Sequence, residues 1–398
     1  MSTYASRAAR PLTLTSAGIG VVGVSFGMAR YGFGLLAPDI RASFHLDNGS
    51  IGLLSAASYV AYLLTTITAG ALAIRLGPRT IVAAGGFCAV LGMLIAGTAT
   101  TPQVLFAGLL VAGASAGLVF PPFSDVVSGS LAPAHQGRAL AAISSGTGWG
   151  VALAVPVALL AGESWRTAWL LFALFAALAT AWALAVLPAR ERASGPSGVV
   201  RLRPSWFVCP RSSRLLTGAL LVGLASSVYW TFAVEHLQSQ GGLSITQSRI
   251  FLGVVGLATV GGTVGADAID RLGARTAFIL AAAAEAAALL LLGLAAGTLA
   301  AVLCSAVLFG VAYATIVAIS VIWSTHVFAD RPSAGLAAVM AMNAVGLLTG
   351  PPILGATADH IGLSAIFAAG AALLALTTWF APREALGRHA RVRFLRWE

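Results

Sequence analysis

Arg75-Leu76-Gly77-Pro78-Arg79-Thr80 returns as Arg271-Leu272-Gly273-Ala274-Arg275-Thr276, identical at five of six positions. The offset is 196 residues in a chain of 398, so the repeating unit is close to half of the protein. The same offset carries Leu140-Ala141-Ala142 onto Leu336-Ala337-Ala338, Gly150 onto Gly346 and Pro156 onto Pro352. Ala/Leu stretches match by chance, but Gly and Pro keeping register with a basic turn do not. Two homologous halves are the reading, and a repeat governs everything inferred after it.

Composition places both halves in a membrane. Hydrophobic residues make up 58% of the chain and charged residues 9%, with a mean hydropathy of +0.91. A soluble protein of this size needs far more surface charge. The net charge of +10 is carried by arginine alone, with no lysine anywhere. These arginines sit between apolar runs, where they orient a chain in a bilayer; no nucleic-acid partner is expected. Cys88, Cys209 and Cys304 fit neither a disulfide framework nor a metal site. The first apolar run is too long for a signal peptide and is kept as a helix.

A spanning helix takes about 20 mostly apolar residues. Twelve such stretches are predicted, at 14–37, 50–74, 80–99, 103–127, 138–160, 165–187, 215–236, 246–269, 277–296, 299–323, 335–357 and 362–381. Turn residues such as Pro38, Asn48-Gly49-Ser50, Gly77-Pro78 and Thr101-Pro102 mark joints between them. The fold class is therefore all-α integral membrane, twelve transmembrane helices in two six-helix pseudo-repeats. Residues 1–187 are expected to form the first bundle, 188–214 a cytoplasmic linker, 215–381 the second bundle and 382–398 a basic cytoplasmic tail. With the N-terminus inside, 19 arginines fall on the inner side. Only Arg41, Arg166 and Arg249 fall outside, and Arg30 lies within a span. Both termini are expected in the cytoplasm of a cell with the protein in its inner membrane.

Twelve spans in two repeats, each with a basic turn after its second span, resemble the major facilitator superfamily. The resemblance covers the whole chain. It implies an inner gate at Arg75, Gly77 and Arg79, repeated at Asp270, Arg271, Gly273 and Arg275. The family's usual aspartate before the first arginine is Ile74 here, and its common arginine on span 4 falls on Leu109. Gly346-x-x-x-Gly350-Pro351-Pro352 on span 11 resembles a pattern that exporters of the superfamily carry on span 5. The stretch Met28-Ala29-Arg30-Tyr31-Gly32-Phe33-Gly34, with Tyr229-Trp230-Thr231-Phe232, is similar to the YbfB/YjiJ-like branch.

The resemblance also implies that spans 1, 4, 7 and 10 line a central cavity, with sites near the bilayer midplane. Substrate-binding candidates at that depth are Arg30, Trp149, Tyr229, Trp230, Tyr313 and Asn343, with Tyr59 and Tyr62 nearby. Aromatic residues with a polar tip give contact area and a hydrogen bond together; the same rings serve equally well as helix-packing core. Arg30 stands out, because a guanidinium within a span costs about 2.5–3.5 kcal/mol on insertion scales. On an α-helix it shares a face with Phe26 and Phe33. It reads either as an anion anchor or as a structural arginine that satisfies carbonyls or snorkels outward. The proton-coupling candidates are Asp125, Glu235, Asp39 and Glu285.

No Walker loop is present, so ATP is not the direct energy source. No enzyme chemistry, cofactor or metal is expected. The expected function is a proton-coupled secondary transporter, monomeric among membrane lipids, moving a small organic solute by alternating access. Two directions fit: export of amphipathic metabolites or drugs, or uptake of an organic anion. A membrane sensor that kept the fold without flux is the competing class.

Overall fold

The computed structural model describes residues 11–187, 210–261, 271–328 and 332–383. Every regular element among them is helical. In chain order they are α1 (Pro11–Phe44), α2 (Asn48–Leu76), α3 (Pro78–Gly97), α4 (Pro102–Ser130), α5 (Pro133–Ala161) and α6 (Trp165–Val186). The second set is α7 (Pro210–Ser239), α8 (Ile245–Val260), α9 (Ala274–Ala295), α10 (Leu299–Val327), α11 (Pro332–Ile361) and α12 (Leu363–Thr377). Eleven of the twelve contain a stretch long and apolar enough to cross a bilayer, and α8 is described over 16 apolar residues.

The helices begin where local chemistry supplies the first-turn amides with acceptors. Asp47 accepts from Ser50 N at 2.6 Å, Thr101 caps α4, and Ser244 with Gln247 forms a reciprocal capping box on α8. Proline occupies the first helical position of α3, α4 and α5, where its missing N–H costs nothing.

One expected joint is not a joint. Pro38 lies inside α1, which runs on to Phe44 and ends where His45 takes φ +53°. The extra turn carries Asp39 and Arg41 into contacts with the second half, which hold it helical past the proline. Within α1, Gly23–Tyr31 is π-helical, a wider turn that inserts a residue into the α pattern.

The repeat offset reappears as geometry. Gly77 and Gly273 hold φ of +85° and +79° with ψ of 148° and 150°, a conformation that a Cβ would strain. A Cβ on Gly150 of α5 would overlap the backbone of Gly23 on α1, and one on Gly27 would overlap Gly150. The equivalents do the same, Gly346 of α11 lying against Leu220, Gly223 and Leu224 of α7. Small residues let these backbones touch, which is how helices associate where burial from water supplies no drive.

Within each six, α3 packs on α4 and α6, and α9 on α10 and α12, as the outermost layer. The two sixes meet through α2 against α11, α5 against α8 and α1 against α7.

Candidate functional site

Arg30 is 6% exposed, on the π-helical stretch of α1. Its Nη2 donates to the Tyr31 hydroxyl at 2.7 Å, while Nε and Nη1 have no acceptor. Four rings surround the guanidinium: Phe26 at 5.3 Å, Tyr31 at 4.7 Å, Tyr59 at 4.9 Å and Tyr62 at 4.5 Å. Ring faces offset a buried positive charge by about 0.5–2 kcal/mol each, but they bring no lone pair in the plane of the N–H groups. No carboxylate pairs with Arg30 among the described residues.

The cage continues into the second half. The Tyr31 hydroxyl meets the Tyr313 hydroxyl of α10 at 3.4 Å, and the Tyr31 ring lies 4.1 Å from Trp230 of α7. Trp230 packs edge-on against Phe309 and Tyr313, which are themselves parallel, and its Nε1 has no acceptor. Of the six candidate binding residues, then, Arg30, Trp230 and Tyr313 come together, joined by Tyr59 and Tyr62.

The other three go elsewhere. Tyr229, buried, stacks on Phe309 at 3.7 Å and hydrogen-bonds Ser305 at 2.7 Å inside the second half. Asn343 donates to Ala219 O at 3.4 Å and lines a small void between α7, α10 and α11. Trp149, 43% exposed, lines a groove of about 200 Å³ among α1, α5 and α6 that shares no residue with the Arg30 cage. Tyr31 and Phe309 were not singled out from sequence. Tyr31 is one residue from Arg30, which on an α-helix would turn it off that face.

The acids resolve into distinct roles. Asp39 accepts from Arg249 at 2.8 Å, and Arg249 also donates to Ala158 O and Gly162 O at the end of α5. Glu235 pairs with Arg41 at 3.0 Å. Asp359 of α11 takes Asn48 N, Asn48 Nδ2 and Gly49 N at the start of α2, an anion seated on a helix N-terminus. All three carboxylates join the first six helices to the last six, at the end that carries residues 45–47. Ser55 and Thr231 join them at 3.0 Å on the way down to the cage. Glu285, fully buried on α9, meets Ser226 Oγ at 2.5 Å and keeps Oε2 without a partner. The side chain of Asp125 lies outside the described residues.

At the opposite end, Arg79 donates to Leu184 O at the end of α6, while Arg75, Arg271 and Arg275 are exposed. Asp270 lies outside the described residues.

The helices and their order correspond to one known family. The Major Facilitator Superfamily model matches residues 19–267 and 215–393. The chain belongs to the major facilitator superfamily. Among solved structures, this facilitator is similar to the nucleoside transporter NupG, with 13% identity and a TM-score of 0.78 over 98% of this chain and 99% of that one. It is also similar to a bacterial homologue of the human lysosomal transporter Spinster, inward-facing and unoccupied, with 15% identity and a TM-score of 0.71 over 93% and 94%. No curated protein sequence matches the chain. At such identities the likeness is one of fold: a multi-pass facilitator architecture is shared, and its cargo is each protein's own.

Proposed function

We propose that this facilitator is a secondary active transporter that carries a small organic solute by alternating access, powered by the proton gradient. The observation that carries this reading is the placement of the cross-half bonds. Three carboxylate-centred contacts hold the halves together at the end of residues 45–47, directly above a cluster at mid-depth that draws on both halves. Such contacts are a gate: rocking the halves breaks them and exposes the cluster to that side.

The bodies that rock are the two six-helix sets, α1–α6 and α7–α12; residues 210–214, expected in the 188–214 linker, are the first turn of α7. The arginine distribution sets the termini and the linker in the cytoplasm of a cell whose inner membrane holds the protein as a monomer. The gated end is then the outer one, and this conformation faces inward. The buried arginine, without a counter-ion among the described residues, favours an organic anion in either direction, and uptake of one is the first of the two readings. Export of amphipathic solutes, the second direction, draws on the Gly346–Pro352 pattern of α11. The Arg30 and Tyr229-Trp230 stretches support a place in the YbfB/YjiJ-like branch.

Counterflow in proteoliposomes, run across a panel of anionic, neutral and cationic solutes with and without a pH gradient, tests the proposal. Exchange of at least one solute, concentrated only when a pH gradient is imposed, is expected. No exchange of any solute by a folded protein would leave the sensor class.

A further inference from the structure

We propose that the Arg30 cage is the anchoring subsite for the carboxylate of a flat, aromatic monoanion held between the two halves. This deepens the transporter reading and rests on it.

A census of donors and acceptors comes first. Arg30 offers N–H groups on Nε and Nη1 with no acceptor, and Trp230 offers Nε1 with none. The other heteroatoms of the cage are tyrosine hydroxyls: Tyr31 takes Arg30 Nη2 and meets Tyr313, and Tyr59 and Tyr62 stand beside the guanidinium. Among the described residues, the acids that could have answered these donors are engaged elsewhere: Asp39 with Arg249, Glu235 with Arg41, Glu285 with Ser226. The cluster's lone pairs belong to neutral hydroxyls that are themselves donors, so a group that only accepts and carries a negative charge completes it, and an ionised carboxylate is that group. The guanidinium end also matches it in shape, since Nη1 and the second hydrogen of Nη2 form a planar fork.

Charge then limits the ligand. Arg30 is the single cation of the cage among the described residues. One negative charge balances it, whereas a phosphate dianion would bring a second charge into the same apolar depth without a partner. A cationic ligand is disfavoured because the guanidinium repels it and already covers the faces of Phe26, Tyr31, Tyr59 and Tyr62.

The rings describe the ligand's body. Tyr31 from the first half and Trp230 and Tyr313 from the second present apolar faces around the hydroxyl pair. An aromatic acid anchored on Arg30 therefore lies against surfaces from both moving bodies. Its binding energy differs between gate-closed and gate-open states, which is what a ligand needs to drive a conformational change.

The test uses the full-length protein in nanodiscs, with benzoate and indole-3-acetate as probes against benzamide, benzylammonium and phenyl phosphate. Thermal unfolding and tryptophan fluorescence are the readouts. Saturable stabilisation by one of the two carboxylates, with none by the amide, amine or phosphate, is expected. Arg30→Gln and Arg30→Lys should each weaken it by about ten- to a hundredfold, and Trp230→Phe by less. Should the Arg30 variants fail to fold, the carboxylate-to-amide comparison on the unaltered protein decides. Equal stabilisation by benzamide, unchanged affinity in a folded Arg30→Gln, or no response to either acid overturns the inference. If another solute is exchanged in counterflow while both acids fail to bind, this inference falls and the transporter reading stands. Specific binding of an acid without any exchange leaves the subsite standing and removes the transporter reading.

Discussion

Arg249 should be the principal lock of the gate, and Arg41 the minor one. The Arg249 side chain is 2% exposed and its partner Asp39 13%. Its three hydrogen bonds, at 2.8, 2.8 and 2.9 Å, all run from α8 to acceptors in the first six helices. Opening the gate breaks every one. Arg41 and Glu235 are 25% and 15% exposed, and two of the three Arg41 bonds stay close by in sequence, to Leu46 O and Asn48 Oδ1. Removing one partner of a buried pair costs about 3–5 kcal/mol, and an exposed pair is worth about 0–1 kcal/mol. In the open state water replaces the lost partner, so these costs fall on the closed state. Arg249→Ala should then shift the closed-to-open ratio by about a hundredfold or more, Arg41→Ala by about fivefold or less, at about 1.4 kcal/mol per decade.

The assay places a cysteine at Ser55, which meets Thr231 across the halves just below the gate, in a chain lacking Cys88, Cys209 and Cys304. Labelling by an impermeant maleimide added from the side of residues 45–47 reports the open fraction. Equal acceleration by the two substitutions, or a larger effect at Arg41, would refute the argument from burial.

Three further outcomes are expected. Gly150→Val and Gly346→Val should both lower thermal stability and membrane yield, since each Cβ enters the backbone of the facing helix, while Gly137→Ala, with open space around it, should not; these are read by detergent-solubilised unfolding. Asp47→Ala should weaken the start of α2 by about 0.5 kcal/mol, the low end for an exposed cap; the Ser50 hydroxyl and then its N–H hold this carboxyl below its usual range, so the contribution is full above the ordinary carboxylate range and is lost as pH falls through the lowered value, which a stability–pH profile of both proteins checks. Cys209, in the linker, should be labelled by an impermeant thiol reagent in inside-out vesicles and spared in intact cells.

Much of the fold could be read from the sequence because its signals are local or periodic. Apolar runs place the helices, the arginine turn places the repeat, and both survive errors of a few residues at the ends. Pro38 misled because a proline's local cost was weighed without the distant contacts that outweigh it. The cage was half legible. Arg30, Trp230 and Tyr313 follow from depth alone, since any polar group that deep needs a reason to be there. Tyr31 does not, because face-counting at period 3.6 looks to i±3 and i±4 and passes over the immediate neighbour, whose hydroxyl the long Arg30 side chain reaches. Trp149 and Tyr229 show the converse failure. Depth says how far a residue lies from the surface but not which way it faces, so one opens on a lateral groove and the other packs into its own half. Arg249 and Arg41 were read only as charges counted in outer segments. Their partners are fixed by tertiary approach, which spacing does not encode.

The repeat itself separates scaffold from mechanism. Gly27 against Gly150 recurs as Gly223 against Gly346, and the turn at Gly77 recurs at Gly273 with the same backbone angles. These duplicated features make each half a six-helix body. The acids at the gate are also duplicated, Asp39 and Glu235 standing one offset apart, but their arginines are not: the equivalents of Arg41 and Arg249 are Leu237 and Leu53. Arg30 likewise has Ser226 for its equivalent, and Ser226 turns to Glu285 rather than to a ring cage. Placing Arg249 and Arg41 on opposite halves makes each half supply a cation to the other's acid, so the gate closes only when the two meet. Placing Arg30 on one half alone leaves a single guanidinium in the ring cage among the described residues, and on the proposed reading its neutralisation falls to the ligand.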